Sequence, residues 1–298
     1  MLTMRSPHTS DAPRGSVGFM SSVPNVTLNN GLQIPQLGFG VWQVPPEQTK
    51  EAVFDALRVG YRHIDTAEMY RNEKGVGEAV RESGIARGDI FVTSKLNNPF
   101  HARDAALKAF DVTMDTLDID YLDLFLIHWP MPAVGDYLET WKALEEMHAS
   151  GRVRAIGLSN FQPPHIQRLL DNADIVPAVN QIESHPYLTQ DDVRAFNFDN
   201  DIATEAWSPL GSGVVLGDPV IGGIAEQIGK SDAQVILRWH IQRGDIIFPK
   251  SVTHERIVEN FNIFDFELSE SDMATITGLN RNERTGPDPD DFNWIPST

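Results

Sequence analysis

Four side chains that can hold or transfer a proton lie at the ends of apolar runs in the first half of the chain. Successive runs end at Asp65, Lys95 and His128, and Tyr70 follows the first of them by five residues. Short runs of β-branched and aromatic residues are typical of buried strands. In a barrel of parallel strands, the carboxyl ends share one rim, and active sites are built there. The spacing therefore predicts an acid, a base and a cation on one rim.

The chemistry that this group favours is proton donation to a developing oxyanion. A phenol with a pKa of ~10 is a poor acid at neutral pH. An ammonium group ~4 Å away, at an effective dielectric constant of ~20, contributes ~4 kcal/mol, or roughly three pK units. We therefore expect Lys95 to lower the pKa of Tyr70 towards the pH at which general acid catalysis works best. Asp65 would keep Lys95 charged, and a neutral His128 would orient a carbonyl group by hydrogen bonding.

Each of these residues also has a purely structural interpretation. Asp65 could cap a helix, Lys95 could pair with it, Tyr70 could belong to the core, and His128 could be a buried histidine with satisfied hydrogen bonds. Their positions at consecutive strand ends favour a shared catalytic role over four separate structural ones.

Composition restricts the class of protein and the kind of partner. The 298 residues are 41% hydrophobic, contain no cysteine and carry a formal net charge of −18. This length can bury one large core, so we expect a single domain over residues 25–298. The charge argues against nucleic acid or an anionic membrane as a partner, and the absence of cysteine excludes disulfides and thiolate chemistry. Residues 1–24 are polar, which predicts a disordered tail on a cytoplasmic protein.

The rest of the chain repeats a strand and a helix. A hairpin is predicted at Val26–Ile34, around the Asn30-Gly31 turn. Eight strands are then expected to end near Gly40, Asp65, Lys95, His128, Asn160, Gln181, Trp207 and Lys250. Eight helices are expected at 47–59, 72–83, 102–117, 136–149, 163–172, 189–197, 232–243 and 254–262. This alternation predicts a closed (β/α)8 TIM barrel. Residues 280–298 are rich in Asp, Pro and Asn, and we expect a long C-terminal loop that packs little and is mobile without ligand.

One glycine-rich segment resembles a dinucleotide-binding turn without having its context. Gly211–Gly217 does not lead from a strand directly into a helix, and no acidic residue follows at the expected distance. We therefore do not predict a Rossmann site.

Longer motifs surround the four rim residues. They are Gly60–Tyr70, Leu126–Pro130, Gly157–Phe161, Val179–Glu183, and Ile247–Ser251 followed by Arg256 and Glu259–Asn260. With these motifs the chain resembles an aldo-keto reductase from about Val26 to Trp294. The resemblance implies a barrel fold and NADPH-dependent reduction of aldehydes and ketones, with Tyr70 as the proton donor. Residue by residue, the family's catalytic tetrad falls on Asp65, Tyr70, Lys95 and His128.

The same resemblance implies a set of cofactor contacts. Ser159, Asn160 and Gln181 would hold the nicotinamide carboxamide, whose donors and acceptors they match. Trp207 would stack on the nicotinamide ring, where tyrosine is commoner in the family. The remaining expected cofactor residues are Ser208, Pro209, Leu210, Gly211, Lys250, Ser251, Val252, Thr253, Arg256, Glu259 and Asn260. Lys250, Ser251 and Arg256 resemble a clamp for the adenosine 2′-phosphate, so we expect NADPH over NADH.

Substrate contacts follow less directly from the motifs. Aromatic rim residues predict an apolar cleft walled by Trp42, Trp129 and Trp294, with Tyr70 and His128 at its polar end. Asn97 stands where many relatives carry tryptophan, which should widen the pocket and make it more polar. The segment Asn282–Asp290 resembles a bacterial subgroup that includes 2,5-diketo-gluconate reductases.

Two other functions remain open at this point. The chain could be a catalytically silent NADP(H)-binding barrel that acts as a regulatory or structural subunit, although four matching rim residues argue against this. A metal-dependent barrel hydrolase would need several rim ligands, and His128 is the only rim histidine that the sequence places, so we expect no metal site. We also expect a monomer that acts on a small carbonyl compound.

Overall fold

The computed structural model describes residues 23–295. Most of the tail predicted for residues 1–24, and the last three residues of the predicted C-terminal loop, lie outside the described residues. Val23 and Pro24 are described, and the Pro24 carbonyl oxygen accepts a hydrogen bond from the Gln36 backbone (2.9 Å).

A short antiparallel hairpin precedes the main sheet. It pairs β1 (Asn25–Thr27) with β2 (Gln33–Pro35), and Gly31 takes a φ of 85° in the turn, a conformation that glycine adopts without strain. Leu28 and Ile34 are buried in one cluster with side chains from the barrel strands. The predicted hairpin is therefore confirmed, and its apolar face covers one end of the barrel.

Eight further strands run parallel in a single sheet. They are β3 (Phe39–Gly40), β4 (His63–Asp65), β5 (Phe91–Leu96), β6 (Leu122–Ile127), β7 (Val153–Ser159), β8 (Val179–Glu183), β9 (Ala203–Trp207) and β10 (Ile246–Ile247). Each pairs with the next along the chain, and Leu37 forms a parallel bridge with Ile247, while the Gly38 backbone donates to the Ile247 carbonyl (2.7 Å). This contact returns the last strand to the first, so the predicted (β/α)8 barrel is confirmed.

The helices surround this barrel. Within residues 23–295 they are α1 (Pro46–Val59), α2 (Glu73–Glu82), α3 (Arg103–Leu117), α4 (Tyr137–Ala149), α5 (Pro163–Leu170), α6 (Asp191–Asp199), α7 (Pro219–Ile228), α8 (Asp232–Gln242), α9 (His254–Phe261) and α10 (Glu270–Thr277). All eight predicted helices are present, and their bounds agree to within about two residues. None of the ten has the length and apolar character needed to cross a bilayer.

Two helices, α7 and α10, were not predicted. Helix α7 contains the pair Gly222-Gly223, which lowers helix propensity, but Asp218 caps it by accepting from the Val220 backbone (2.8 Å). Helix α10 is rich in β-branched residues, and Ser269 caps it in a reciprocal capping box. Tertiary burial and capping together stabilise helices whose composition does not favour them.

Strand register brings the carboxyl ends together. Gly40 lies opposite Asp65 in the first pair of strands, and Lys95 lies opposite Leu126 two strands further round the barrel. On the far side, Ser159 lies opposite Gln181. The residues that the motifs single out therefore share one rim.

Candidate active site

A buried ion pair forms the base of the site. Asp65 is the last residue of β4 and Lys95 lies near the end of β5. Lys95 Nζ lies 2.8 Å from both carboxylate oxygens of Asp65 and 2.8 Å from the Thr66 carbonyl oxygen. The Lys95 side chain is fully buried. Burial acts to lower the pKa of Lys95, but the Asp65 charge and its hydrogen bonds outweigh burial and raise it. Lys95 is therefore a permanent cation.

Tyr70 lies directly above this pair. It ends a single helical turn after β4, and Lys95 Nζ is 5.2 Å from the centre of its ring. The expected lowering of its pKa is wrong: burial raises the pKa of Tyr70, Lys95 opposes this, and the Asp65 charge raises it further. Tyr70 thus keeps its proton at neutral pH, with a cation beside it that favours the phenolate once the proton has left.

His128 completes the four residues that the sequence predicts to come together. It follows β6 by one residue, and its ring centre is 5.9 Å from that of Tyr70. Burial, assisted by the Lys95 charge, lowers the pKa of His128 well below its ordinary value, so the ring is neutral. Its Nδ1 atom has no hydrogen-bond partner among the described residues. A neutral imidazole beside a protonated phenol provides two groups that can bind one carbonyl oxygen.

Two amide side chains and a hydroxyl lie on the next strands of the rim. Asn160 Nδ2 donates to the His128 carbonyl oxygen (2.9 Å) and to Ser159 Oγ (3.1 Å). Gln181 Nε2 donates to Asp65 Oδ1 (3.0 Å) and to Glu205 Oε2 (2.8 Å). Both amide nitrogens are thus engaged within the protein, whereas the Gln181 amide oxygen and the Ser159 hydroxyl proton are left for a ligand. This set is complementary to a primary amide.

Trp207, the last residue of β9, is fixed by two contacts. Its Nε1 donates to Asn160 Oδ1 at 2.7 Å, and its six-membered ring lies against Gly286, where a Cβ atom would come within 2.4 Å of Cη2. The indole therefore has a defined orientation beside the amide group. The expected contacts Ser208, Pro209, Leu210 and Gly211 form the tight turn that follows, in which the Gly211 backbone donates to the Ser208 carbonyl (2.7 Å).

The residues expected to bind the 2′-phosphate follow β10. Lys250 lies three residues beyond the strand and Arg256 lies near the start of α9, and both are exposed. Val252 and Thr253 are also exposed, and Ser251 Oγ accepts from the Thr253 backbone (3.1 Å). Glu259 is half-buried and Asn260 is buried on α9. Two accessible cations beside a helix N-terminus can receive a phosphate.

The residues expected to contact the substrate differ in their exposure and in the contacts that they make. Trp42 is 47% exposed, with its ring centre 4.8 Å from that of Tyr70, whereas Trp129 is buried beside His128. Trp294 is 53% exposed, and its carbonyl oxygen accepts from Asn98 Nδ2 (2.9 Å). Asn97 uses its side chain locally, accepting from the Asn98 backbone (2.8 Å). Its role in substrate binding stays a prediction.

The C-terminal loop packs more than its composition indicates. Glu183 Oε1 accepts from the Thr285 backbone (2.6 Å) and hydroxyl (2.5 Å), and Glu183 Oε2 accepts from the Gly286 backbone (3.1 Å). Phe292 packs on Trp129 with ring centres 4.3 Å apart. Most of the described segment is exposed, as expected, but the expectation that it packs little is wrong at Thr285, Gly286 and Phe292, where a buried carboxylate and a buried indole supply partners far away in sequence.

Three residues of the site, Glu183, Glu205 and Phe292, were missed at the sequence level. Glu183 lies two residues after Gln181 on β8, and Glu205 lies two residues before Trp207 on β9. Because side chains alternate along a strand, this spacing places each on the same face as its predicted neighbour. Glu205 is fully buried, and burial, with the nearby Asp65 charge, raises its pKa to about 8. Period-two spacing was the available signal for both glutamates.

Comparison with known proteins gives a consistent result. The model for the aldo/keto reductase family matches residues 36–281. The chain is 54% identical to an aldo-keto reductase of Mycolicibacterium smegmatis, over 91% of this chain and 98% of that protein. It is 43% identical to the methylglyoxal reductase DkgA of Escherichia coli, over 92% and 99%. A variant of Gox0644, solved in complex with NADPH, superposes with a TM-score of 0.88 at 44% identity, over 92% of this chain and all (100%) of that one. The expected family and its bacterial subgroup are confirmed.

Proposed function

The chain belongs to the aldo/keto reductase family, and we propose that it uses NADPH to reduce small aldehydes and ketones to alcohols, with Tyr70 as the proton donor. The observation that carries this proposal is the contact of one fully buried cation, Lys95, with both oxygens of Asp65 and with the face of the Tyr70 ring. A buried ion pair beneath a protonated phenol is costly to build for structure alone. It has a direct use in stabilising a phenolate as it forms.

The described residues fit a nicotinamide cofactor. Gln181 and Asn160 present amide oxygens to a carboxamide NH₂ group, and the Ser159 hydroxyl can donate to the carboxamide oxygen. Trp207 offers a π-face for the ring, and Lys250 with Arg256 offers two cations for a 2′-phosphate. The bound cofactor supplies the hydride.

The protein's own contribution is to hold the carbonyl group and to deliver a proton. His128 is neutral and donates a hydrogen bond to the carbonyl oxygen, which fixes it beside the Tyr70 hydroxyl. As negative charge develops on that oxygen, Tyr70 transfers its phenolic proton to it. Lys95 stabilises the resulting phenolate, and Asp65 keeps Lys95 in place.

Small carbonyl compounds are the proposed substrate class. The relative from Escherichia coli carries the name methylglyoxal reductase, and here the Trp42 ring lies beside Tyr70 and the Trp129 ring lies beside His128. The net charge of −18 disfavours the approach of anionic substrates. A monomer in the cytoplasm is part of the same proposal.

A turnover assay tests the proposal. Oxidation of NADPH is followed by its loss of absorbance in the presence of a panel of dicarbonyls, sugars and aromatic aldehydes. We expect turnover with at least one class, and slower turnover with NADH. A chain that binds NADPH tightly and oxidises it with none of them would instead be a silent binding subunit.

A further inference from the structure

The amide of Gln181 is held by two carboxylates at once. Its Nε2 atom carries two hydrogens, and it donates to Asp65 Oδ1 (3.0 Å) and to Glu205 Oε2 (2.8 Å). Asp65 is ion-paired with Lys95 and can only accept when ionised, so the reversed amide would place its oxygen against an acceptor. The contacts therefore define the orientation of an amide whose oxygen and nitrogen are otherwise hard to distinguish.

Asp65 alone would leave this amide free to pivot about a single hydrogen bond. Asp65 is also bound to Lys95 through both of its oxygens. Glu205 supplies the second contact point, and two points fix the amide plane. Glu205 can accept through Oε2 whether it is ionised or protonated, so this role does not depend on its charge.

Strand β9 acts on the neighbouring amide in the same way. Two residues after Glu205, Trp207 Nε1 donates to Asn160 Oδ1 (2.7 Å), while Asn160 Nδ2 donates to the His128 carbonyl oxygen (2.9 Å). Both amides thus have their nitrogens engaged within the protein. A ligand in contact with Gln181 meets an amide oxygen that requires a hydrogen-bond donor, whereas the Asn160 oxygen already accepts from Trp207.

We propose that Glu205 is a positioning residue that orients the Gln181 amide, and so makes the site select the NH₂ group of the nicotinamide carboxamide. This inference rests on the proposed use of NADP(H). It assigns to a buried residue of the barrel interior a role in discriminating between cofactors that differ at one group. Glu205 itself touches Gln181, and Gln181 touches the cofactor.

The test compares two cofactors that differ only at that group. NADP⁺ carries the carboxamide, and its 3-acetylpyridine analogue carries a methyl ketone, which keeps the oxygen and replaces NH₂ by a methyl group. Dissociation constants for both are measured by quenching of tryptophan fluorescence, without turnover. For the wild-type chain we expect the analogue to bind about tenfold more weakly, because it leaves buried acceptors unpaired.

Four variants separate positioning from general destabilisation. Glu205→Met removes the acceptor at similar length, and Glu205→Gln keeps an acceptor oxygen. Glu205→Thr is too short to reach Gln181 and replaces the methionine variant if that variant does not fold. Thr204→Val, whose side chain contacts Asn197 on the other face of β9, is the matched control. Thermal midpoints are measured for all of them.

The ratio of the two dissociation constants decides the outcome. We expect the dissociation constant of the analogue divided by that of NADP⁺ to fall by more than about threefold in Glu205→Met. In Glu205→Gln and Thr204→Val this ratio should fall by less than about threefold. A smaller change in Glu205→Met, including equal weakening of both cofactors, overturns the inference, because that is the result of a structural role alone. An equal fall in Glu205→Gln also overturns it. If the wild-type chain binds neither cofactor, the proposed function itself fails.

Discussion

Lys95 Nζ lies 2.8 Å from each carboxylate oxygen of Asp65, in a part of the barrel that excludes water from the lysine altogether. Removing one partner of such a pair leaves an uncompensated buried charge. The contact therefore contributes to stability as well as to the proposed chemistry, and the two effects can be measured separately.

Asp65→Asn should destabilise the fold by about 3–5 kcal/mol, the usual cost of breaking a buried pair. The measurement is urea denaturation at pH 7. Asp111→Asn is the control, because its partner Arg152 and Asp111 itself are both exposed, and the expected loss there is at most about 1 kcal/mol. A loss below about 1 kcal/mol in Asp65→Asn would show that the pair is not a buried charge pair.

Arg256→Ala should weaken NADPH binding by about 1.5–3 kcal/mol, the contribution of a charged hydrogen bond, and should leave NADH binding nearly unchanged. Fluorescence titration with both cofactors measures this. Arg103→Ala removes an exposed arginine of α3 and should affect neither. Equal losses for NADPH and NADH in Arg256→Ala would mean that Arg256 does not bind the 2′-phosphate.

Truncation after Asn280 removes the loop that Glu183 anchors. NADPH binding should be almost intact, and the thermal midpoint should fall by roughly 6–12 °C, because the three lost hydrogen bonds to Glu183 contribute about 1 kcal/mol, or roughly 2–4 °C, each. KM should rise or kcat should fall, by an amount that depends on the carbonyl compound. Unchanged kinetic constants across the substrate panel would place the loop outside the substrate cleft.

His101 predicts a pH dependence of stability. Burial lowers its pKa to about 4, whereas a histidine in the unfolded chain titrates near ~6.5. The contribution of neutral His101 to the free energy of unfolding is fully present above pH ~6.5. As the pH falls towards the pKa of the folded state, only the unfolded state takes up the proton, so the free energy of unfolding decreases by at most about 3 kcal/mol. His101→Gln should therefore lose less stability than the wild type between pH 6.5 and 4. Equal losses, measured by urea denaturation at several pH values, would contradict this.

The strands and the rim residues could be predicted because burial leaves a local pattern. The apolar runs that end at Asp65, Lys95 and His128 report strands whose two faces are both covered. The family motifs then gave the roles that composition and spacing leave open.

What the sequence did not predict depends on distant partners. Glu183 and Thr285 are 102 residues apart, and nothing local in either segment indicates their contact. The pKa of Tyr70 was predicted in the wrong direction because burial of the phenol, which depends on the tertiary structure, outweighs the Lys95 charge. Helix α7 begins with the start signal Asp218-Pro219, but its two glycines lower helix propensity, so its local pattern is weak.

Proton donation by Tyr70 is the central claim, and Tyr70→Phe tests it most directly. The change keeps the ring beside Lys95 and removes only the hydroxyl group. Single-turnover and steady-state rates are measured with NADPH and a small aldehyde, together with the dissociation constant of NADPH. Tyr121→Phe is the matched control, because Tyr121 precedes β6 at the opposite end of the barrel. We predict that kcat falls by about 10²–10⁴ in Tyr70→Phe while NADPH affinity stays close to that of the wild type. Retention of about a tenth of the wild-type rate, well above the loss expected for removal of a general acid, would contradict the account.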